Sequence, residues 1–157
     1  MRWHYRDEAL VWLFTPAYAA HLAEEFWGGP GFPAWFARVA GAPLPVSAFA
    51  AINAVAFILL LVGSAIAVRR EQQGWIVIAI ATVVTVNALL HVVGSVVTGS
   101  YSPGLLTGIV FYLPLGQLVL IRALHQVNRA QFTKGVVAGV VIHGLVSVIA
   151  AAAARAS

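Results

Sequence analysis

The length of its apolar runs constrains this chain more than any other feature. Five stretches, 9–27, 48–68, 75–98, 104–121 and 136–154, come close to or exceed the ~20 residues that a helix needs to cross the hydrocarbon core of a bilayer. A helix pairs its own backbone groups where no water is available, so runs of this length predict membrane helices rather than an open sheet. The expectation is an all-α polytopic membrane protein, a five-transmembrane-helix bundle forming one transmembrane domain over residues 1–157. The separators after the second, third and fourth runs are short: "RREQQG", "GSYSP" and "RALHQVNRAQFTK". They leave no room for a soluble domain.

Composition agrees. The chain is 61% hydrophobic and 9% charged, whereas a soluble domain carries about a quarter charged residues. The formal charge of +4 comes from sparse Lys and Arg at segment ends and makes no basic face, which argues against nucleic acid as a partner. The absence of cysteine excludes disulfides, iron–sulfur clusters and thiolate metal sites. Arg2 and Arg6 before an apolar run, with "AYA" at 17–19, have the outline of a cleavable signal, but Asp7 and Glu8 spoil its basic region, so 9–27 is read as a retained span. Five spans would gather Arg2, Arg6, Arg69, Arg70, Arg122, Arg129 and Lys134 on one side and leave Arg38 and Arg155 on the other. That bias puts the N-terminus in the cytoplasm. The bias toward Ala, Val, Gly and Arg suggests a bacterial source, hence a multi-pass protein of the inner (cytoplasmic) membrane. The partners expected are the lipid bilayer and a hydrophobic, lipid-like small molecule; the oligomeric state is left open.

The connection at 28–45 has its own character. Pro33 suits the first turn of a short helix, and Trp35 and Phe36 beside Arg38 suit an outer interfacial segment. The same helix could alternatively lie as a lid over an outward-facing site.

Ionisable residues inside a membrane are costly and mark function by default. His21 and Glu25 stand at i, i+4 with Glu24 at i+3, so the three can share a helical face. Asn87 and His91 repeat the i, i+4 spacing in the third run. Asn53 stands out in the second, His143 in the fifth, and Tyr112 and Gln117 in the fourth. Counted from the ends of their runs, His21, Asn53, His91 and His143 fall within roughly 10 Å of one another in depth. Neighbouring helices pack 8–10 Å apart, so side chains from several spans can meet. Gly135, Gly139, His143, Ser147 and Ala151 form one small-residue stripe, and Gly104, Gly108, Tyr112 and Gly116 another. Such stripes let helices approach closely in lipid, but packing alone does not call for a His at the centre of one and a Tyr at the centre of the other. His4 and His125 are expected at the solvated edge, Trp27 and Tyr101 in the outer aromatic belt, and Pro16 at a kink that aims His21 inward.

"HLAEE" in the first run, "NALLH" in the third, "YSPG" at 101–104 and the His late in the chain resemble the HXXEE-domain family of small bacterial membrane proteins. The resemblance covers most of the chain. It maps the family's signature onto His21, Glu24 and Glu25, and extends to Asn87, His91 and His143. The family name records a motif and implies no reaction.

Three chemistries fit these residues. In the first, His21, Glu25, His91 and His143 ligate a divalent metal such as Zn²⁺ with a position left open for water, Glu24 acts as base or supporting partner, and Asn53, Asn87 and Tyr112 complete the polar surroundings. The product would be a metal-dependent hydrolase of a lipid-like substrate, with His21, Glu24 and Glu25 as its catalytic residues. Di-iron and haem sites fit less well, the first for want of histidines and the second because the opening motif goes unused. In the second, two adjacent carboxylates that cannot both ionise provide a proton donor, relayed by His21, for an isomerase or cyclase acting on an isoprenoid or sterol-like molecule. The third is not enzymatic: a proton-coupled transporter, or a polar cluster that fixes helix register.

Overall fold

The computed structural model describes residues 5–70 and 73–157, and among these the chain is helical with no strand. His4, expected at the solvated edge, lies outside the described residues. The helices are α1 (Tyr5–Trp12), α2 (Phe14–Trp27), α3 (Phe32–Ala40), α4 (Val46–Arg69), α5 (Gly74–Thr98), α6 (Leu105–Gln126) and α7 (Arg129–Arg155).

Among the described residues four helices, not the expected five, are long and apolar enough to cross a membrane: α4, α5, α6 and α7. The first run is broken at Leu13, where α1 ends and α2 begins. Pro16 accounts for the break, because it has no N–H to return to the carbonyl of Trp12 and its ring crowds the preceding turn. The unbroken remainder, α2, has 14 residues, or about 21 Å against a hydrocarbon core of about 30 Å. It also carries both glutamates of the motif.

The bundle is organised around α5. Half of its apolar window is buried, against 11% for α7 and 17% for α4; their exposed leucines, isoleucines and valines face outward, as lipid-facing surfaces do. The main core joins Leu10, Val11, Phe14 and Ala17 of α1 and α2 to Leu60 and Ala67 of α4, Val77, Ala81, Val84 and Ala88 of α5, and Tyr112 and Val119 of α6. On the α7 stripe a Cβ at Gly135 would come within 2.6 Å of Ile78, and one at Gly139 within 2.5 Å of Thr82. These pairings show α5 and α7 running parallel, in close backbone contact that only glycine permits.

α6 is not uniform. Gly108–Tyr112 form a π-helical turn in which the N–H of Leu113 reaches the carbonyl of Gly108, five residues back. Pro114 follows at the start of the regular α-helical part of α6 and cannot donate to the carbonyls behind it, which favours the wider turn there. A π turn accommodates one extra residue and alters which side chains face inward.

Candidate functional site

The cluster forms where the C-terminal half of α2, the upper part of α5 and the Ser100–Gly104 turn into α6 come together. His21 and Glu25 project from α2 and His91 from α5. All three are enclosed, at 3%, 6% and 4% exposure. One carboxylate oxygen, Glu25 Oε1, lies between the rings, 3.3 Å from His91 Nε2 and 3.6 Å from His21 Nε2. Among the described residues these three make the group able to hold a metal ion, their donor atoms all within 4.8 Å of one another. The two rings meet edge to face with centroids 5.1 Å apart.

The opposite edge of each ring is also occupied. His21 Nδ1 lies 2.8 Å from Thr107 Oγ1, and His91 Nδ1 lies 2.9 Å from Ser102 Oγ. Gly104 fits against both rings: at φ +103° it adopts a backbone conformation that suits glycine, and a Cβ there would stand 2.7 Å from His91 Cε1 and 2.8 Å from His21 Cε1. Tyr112, the last residue of the π turn, stacks on His21 at a centroid distance of 4.3 Å.

Glu24 does something else. Successive residues on a helix are about 100° apart, so Glu24 and Glu25 leave α2 on opposite sides of His21. The Glu24 carboxylate accepts the N–H of Leu106 at 2.9 Å and of Thr107 at 2.6 Å, and a short hydrogen bond from the Tyr101 hydroxyl. It thereby satisfies donors at the N-terminus of α6 that have no partner within their own helix. Burial alone would raise its carboxyl, but the hydrogen bonds from Thr107, Tyr101 and Leu106 outweigh burial and hold it at about 2. Burial and the bond to Glu24 push the Tyr101 phenol up to about 12, so it remains a donor across the physiological range.

The helix α3 covers the cluster. Phe32 lies edge-on to His91 with centroids 5.7 Å apart and also packs on Trp35, Phe36 and Phe49. Trp35 fills a notch at Gly94, where a Cβ would be 2.8 Å from its Cη2, and its Nε1 donates to Ser100 Oγ at 3.3 Å.

Of the site residues expected from the sequence, His21, Glu25 and His91 come together and Tyr112 adjoins them. His143 is buried on α7 but stands outside the three-residue group, with Ser147 Oγ 3.4 Å from its Nδ1. The α5–α7 pairing explains this: continuing Gly135 on Ile78 and Gly139 on Thr82 by one turn sets His143 level with Val86, about 7.5 Å along the helix from His91. Asn53 is engaged by the Tyr18 hydroxyl at 2.7 Å. Asn87 keeps a buried Oδ1 without a hydrogen-bond partner among the described residues. Gln117 and His125 are exposed. Tyr101, expected only as a belt residue, belongs to the Glu24 network. Ser102 and Gly104 belong to the "YSPG" stretch, and Gly104 to the glycine stripe, but neither is marked in the sequence as a site residue, and Thr107 has no signal at all.

A family described as "Protein of unknown function with HXXEE motif" matches residues 12–119, a stretch that contains every residue of the cluster. No curated protein and no solved structure matches the chain.

Proposed function

The chain belongs to the HXXEE family, and we propose that the motif's first and last residues, His21 and Glu25, join His91 to ligate one divalent metal ion, with Zn²⁺ the first choice. The observation that carries this is His21 Nε2, a buried nitrogen with no hydrogen-bond partner among the described residues, facing a carboxylate oxygen at 3.6 Å. The Thr107 hydroxyl donates to the carbonyl of Gly104 at 3.5 Å, which leaves its lone pair to accept the Nδ1–H of His21. In the tautomer that this network favours, Nε2 presents a lone pair to the carboxylate. Two lone pairs opposed in a site that excludes water repel each other, and a cation between them removes the conflict. The spacing supports the same reading. Donors about 2.0–2.1 Å from a tetrahedral ion stand about 3.4 Å apart, close to the 3.3 and 3.6 Å of the two N···O pairs.

Three protein ligands leave one position open, the pattern of catalytic rather than structural zinc. A bound ion supplies a Lewis acid that polarises a carbonyl or phosphoryl oxygen and acidifies water. With Phe32 and Tyr112 against the ligands, and lipid around the bundle, hydrolysis of a lipid-like ester is the reaction this setting favours. Arg69, Arg70, Arg122, Arg129 and Lys134 lie toward the other end of the bundle, so the positive-inside bias favours a site facing away from the cytoplasm. Metal-free acid/base chemistry is less favoured, because it draws on two adjacent carboxylates sharing a proton, and Glu24 is turned away from Glu25 into its own network.

Metal analysis of the purified protein, beside H21A and H91A, tests the proposal. One equivalent of Zn²⁺ per chain, lost in both variants, is the expected result. A wild-type protein that takes up neither Zn²⁺ nor Co²⁺ on titration overturns it, and isomerase activity abolished by E25Q in that metal-free protein would establish the acid/base alternative.

A further inference from the structure

We propose that Thr107 and Ser102 are the positioning residues of this site: their hydroxyls hold the Nδ1 edges of His21 and His91 and so commit both Nε2 atoms to the ion, while Glu24 stays outside the coordination sphere and clamps the segment that carries them. The inference rests on the metal reading and assigns roles that the motif alone leaves undivided.

Thr107 is tied to α2 at two points one helical turn apart. Its N–H donates to Glu24 Oε2 at 2.6 Å and its Oγ1 meets His21 Nδ1 at 2.8 Å. The clamp and the ring therefore share one residue, and loosening Glu24 loosens the hold on His21. Ser102, fully buried, is fixed in the same way on the α5 side: its N–H donates to Ser95 Oγ at 3.0 Å, one turn beyond His91 on that helix, and its own Oγ meets His91 Nδ1 at 2.9 Å. Gly104 lies between these two anchors with both Cε1 atoms against it. Each ring is thus held at Nδ1 and Cε1 by one nine-residue segment, 100–108, with its Nε2 directed at Glu25 Oε1. Metal-bound histidines are oriented in this manner by a partner on the second nitrogen.

The test uses the full-length protein in detergent, with T107V, T107S, S102A and E24Q. Two quantities are read: Co²⁺ and Zn²⁺ affinity with the Co²⁺ absorption spectrum, and the imidazole tautomers of the metal-free protein by ¹⁵N NMR. T107V and S102A are expected to weaken Co²⁺ binding about 10- to 100-fold, each with loss of the Nδ1–H tautomer at its own histidine. T107S, which keeps the hydroxyl, is expected to restore binding to within a few-fold and to recover the tautomer, which a fold defect in T107V would not explain. E24Q is expected to lower affinity without altering the Co²⁺ spectrum. Unchanged tautomers and wild-type affinity in both T107V and S102A overturn the positioning roles. A Co²⁺ spectrum altered by E24Q and not by T107V makes Glu24 a ligand and overturns its place as a clamp. If the wild-type protein binds neither ion, the metal reading fails, and the tautomer measurements still decide whether these hydroxyls set the rings.

Discussion

Replacing Gly104 by alanine adds one carbon at the point where the two histidine rings meet, and the structure allows its two effects to be separated. The first is conformational: at φ +103° an L-residue is strained by about 1–2 kcal/mol. The second is steric. The new Cβ would lie 2.7 Å from His91 Cε1, 2.8 Å from His21 Cε1 and 2.9 Å from His91 Nε2, so each ring must recede by roughly 0.7 Å to reach an ordinary contact of about 3.5 Å. Overfilling a packed interior in this way costs about 1–3 kcal/mol. A shift of that size also exceeds the ~0.2 Å tolerance of metal–ligand distances, so Zn²⁺ affinity should fall by at least about tenfold. Gly99 provides the control. It has φ +58°, and a Cβ placed there would have nothing within 4 Å, so G99A carries the backbone penalty alone. Thermal unfolding in detergent, with and without excess Zn²⁺, and chelator competition would compare the two variants. G104A should be the less stable, and its stabilisation by Zn²⁺ should largely vanish while that of G99A persists. Equal behaviour of the two in both assays would refute the account of how the rings are held.

Two further predictions concern parts of the bundle away from the rings. G139A should destabilise the α5–α7 contact by about 1–3 kcal/mol, since its Cβ would press on Thr82 and the carbonyl of Ala79, whereas G144A on the same helix, with nothing within 4 Å, should leave the melting temperature nearly unchanged. The Glu24 carboxyl is held at about 2 in the fold against an ordinary 4.5, so its contribution to stability is complete above pH 4.5 and is lost as the pH falls toward 2. E24Q should remove that acid-dependent part, which a melting-temperature series across this range would show as a flatter profile than the wild type's.

Much of the site is legible in the sequence because charge in an apolar run is rare enough to be informative. His21, Glu25 and His91 stand out in that way. The i, i+4 spacing of His21 and Glu25 gives their shared face, and counting from the run ends gives His91 its level. The same count puts His143 within roughly 10 Å of that level. The finer offset of about 7.5 Å from His91 is not legible, because it is set by which residues of α5 the glycines of α7 meet. The division between Glu24 and Glu25 is not legible, since i+3 and i+4 both count as one face until a neighbouring helix end claims one of them. Thr107 and Ser102 carry no signal of their own: hydroxyl residues recur through these runs, and only the fold shows which of them meet an imidazole. Pro16 reads as a kink, and the structure interrupts the run just before it, at Leu13, which leaves α2 shorter than an uninterrupted crossing.

The π turn at Gly108–Tyr112 gives α6 two independent registers. The part beyond Leu113 is indexed to α5 through Gly116, which lies against Thr85 and the carbonyl of Ala81. The part before Gly108 is indexed to the histidines through Thr107. Removing one residue between them would restore ordinary winding, at the cost of turning one part by about 100° and sliding it about 1.5 Å relative to the other. Either the hydroxyl would leave His21 or the glycine would leave α5. The surplus residue is therefore an adjustment of phase, by which a helix length suited to crossing the bilayer is reconciled with a different angular demand at its tip.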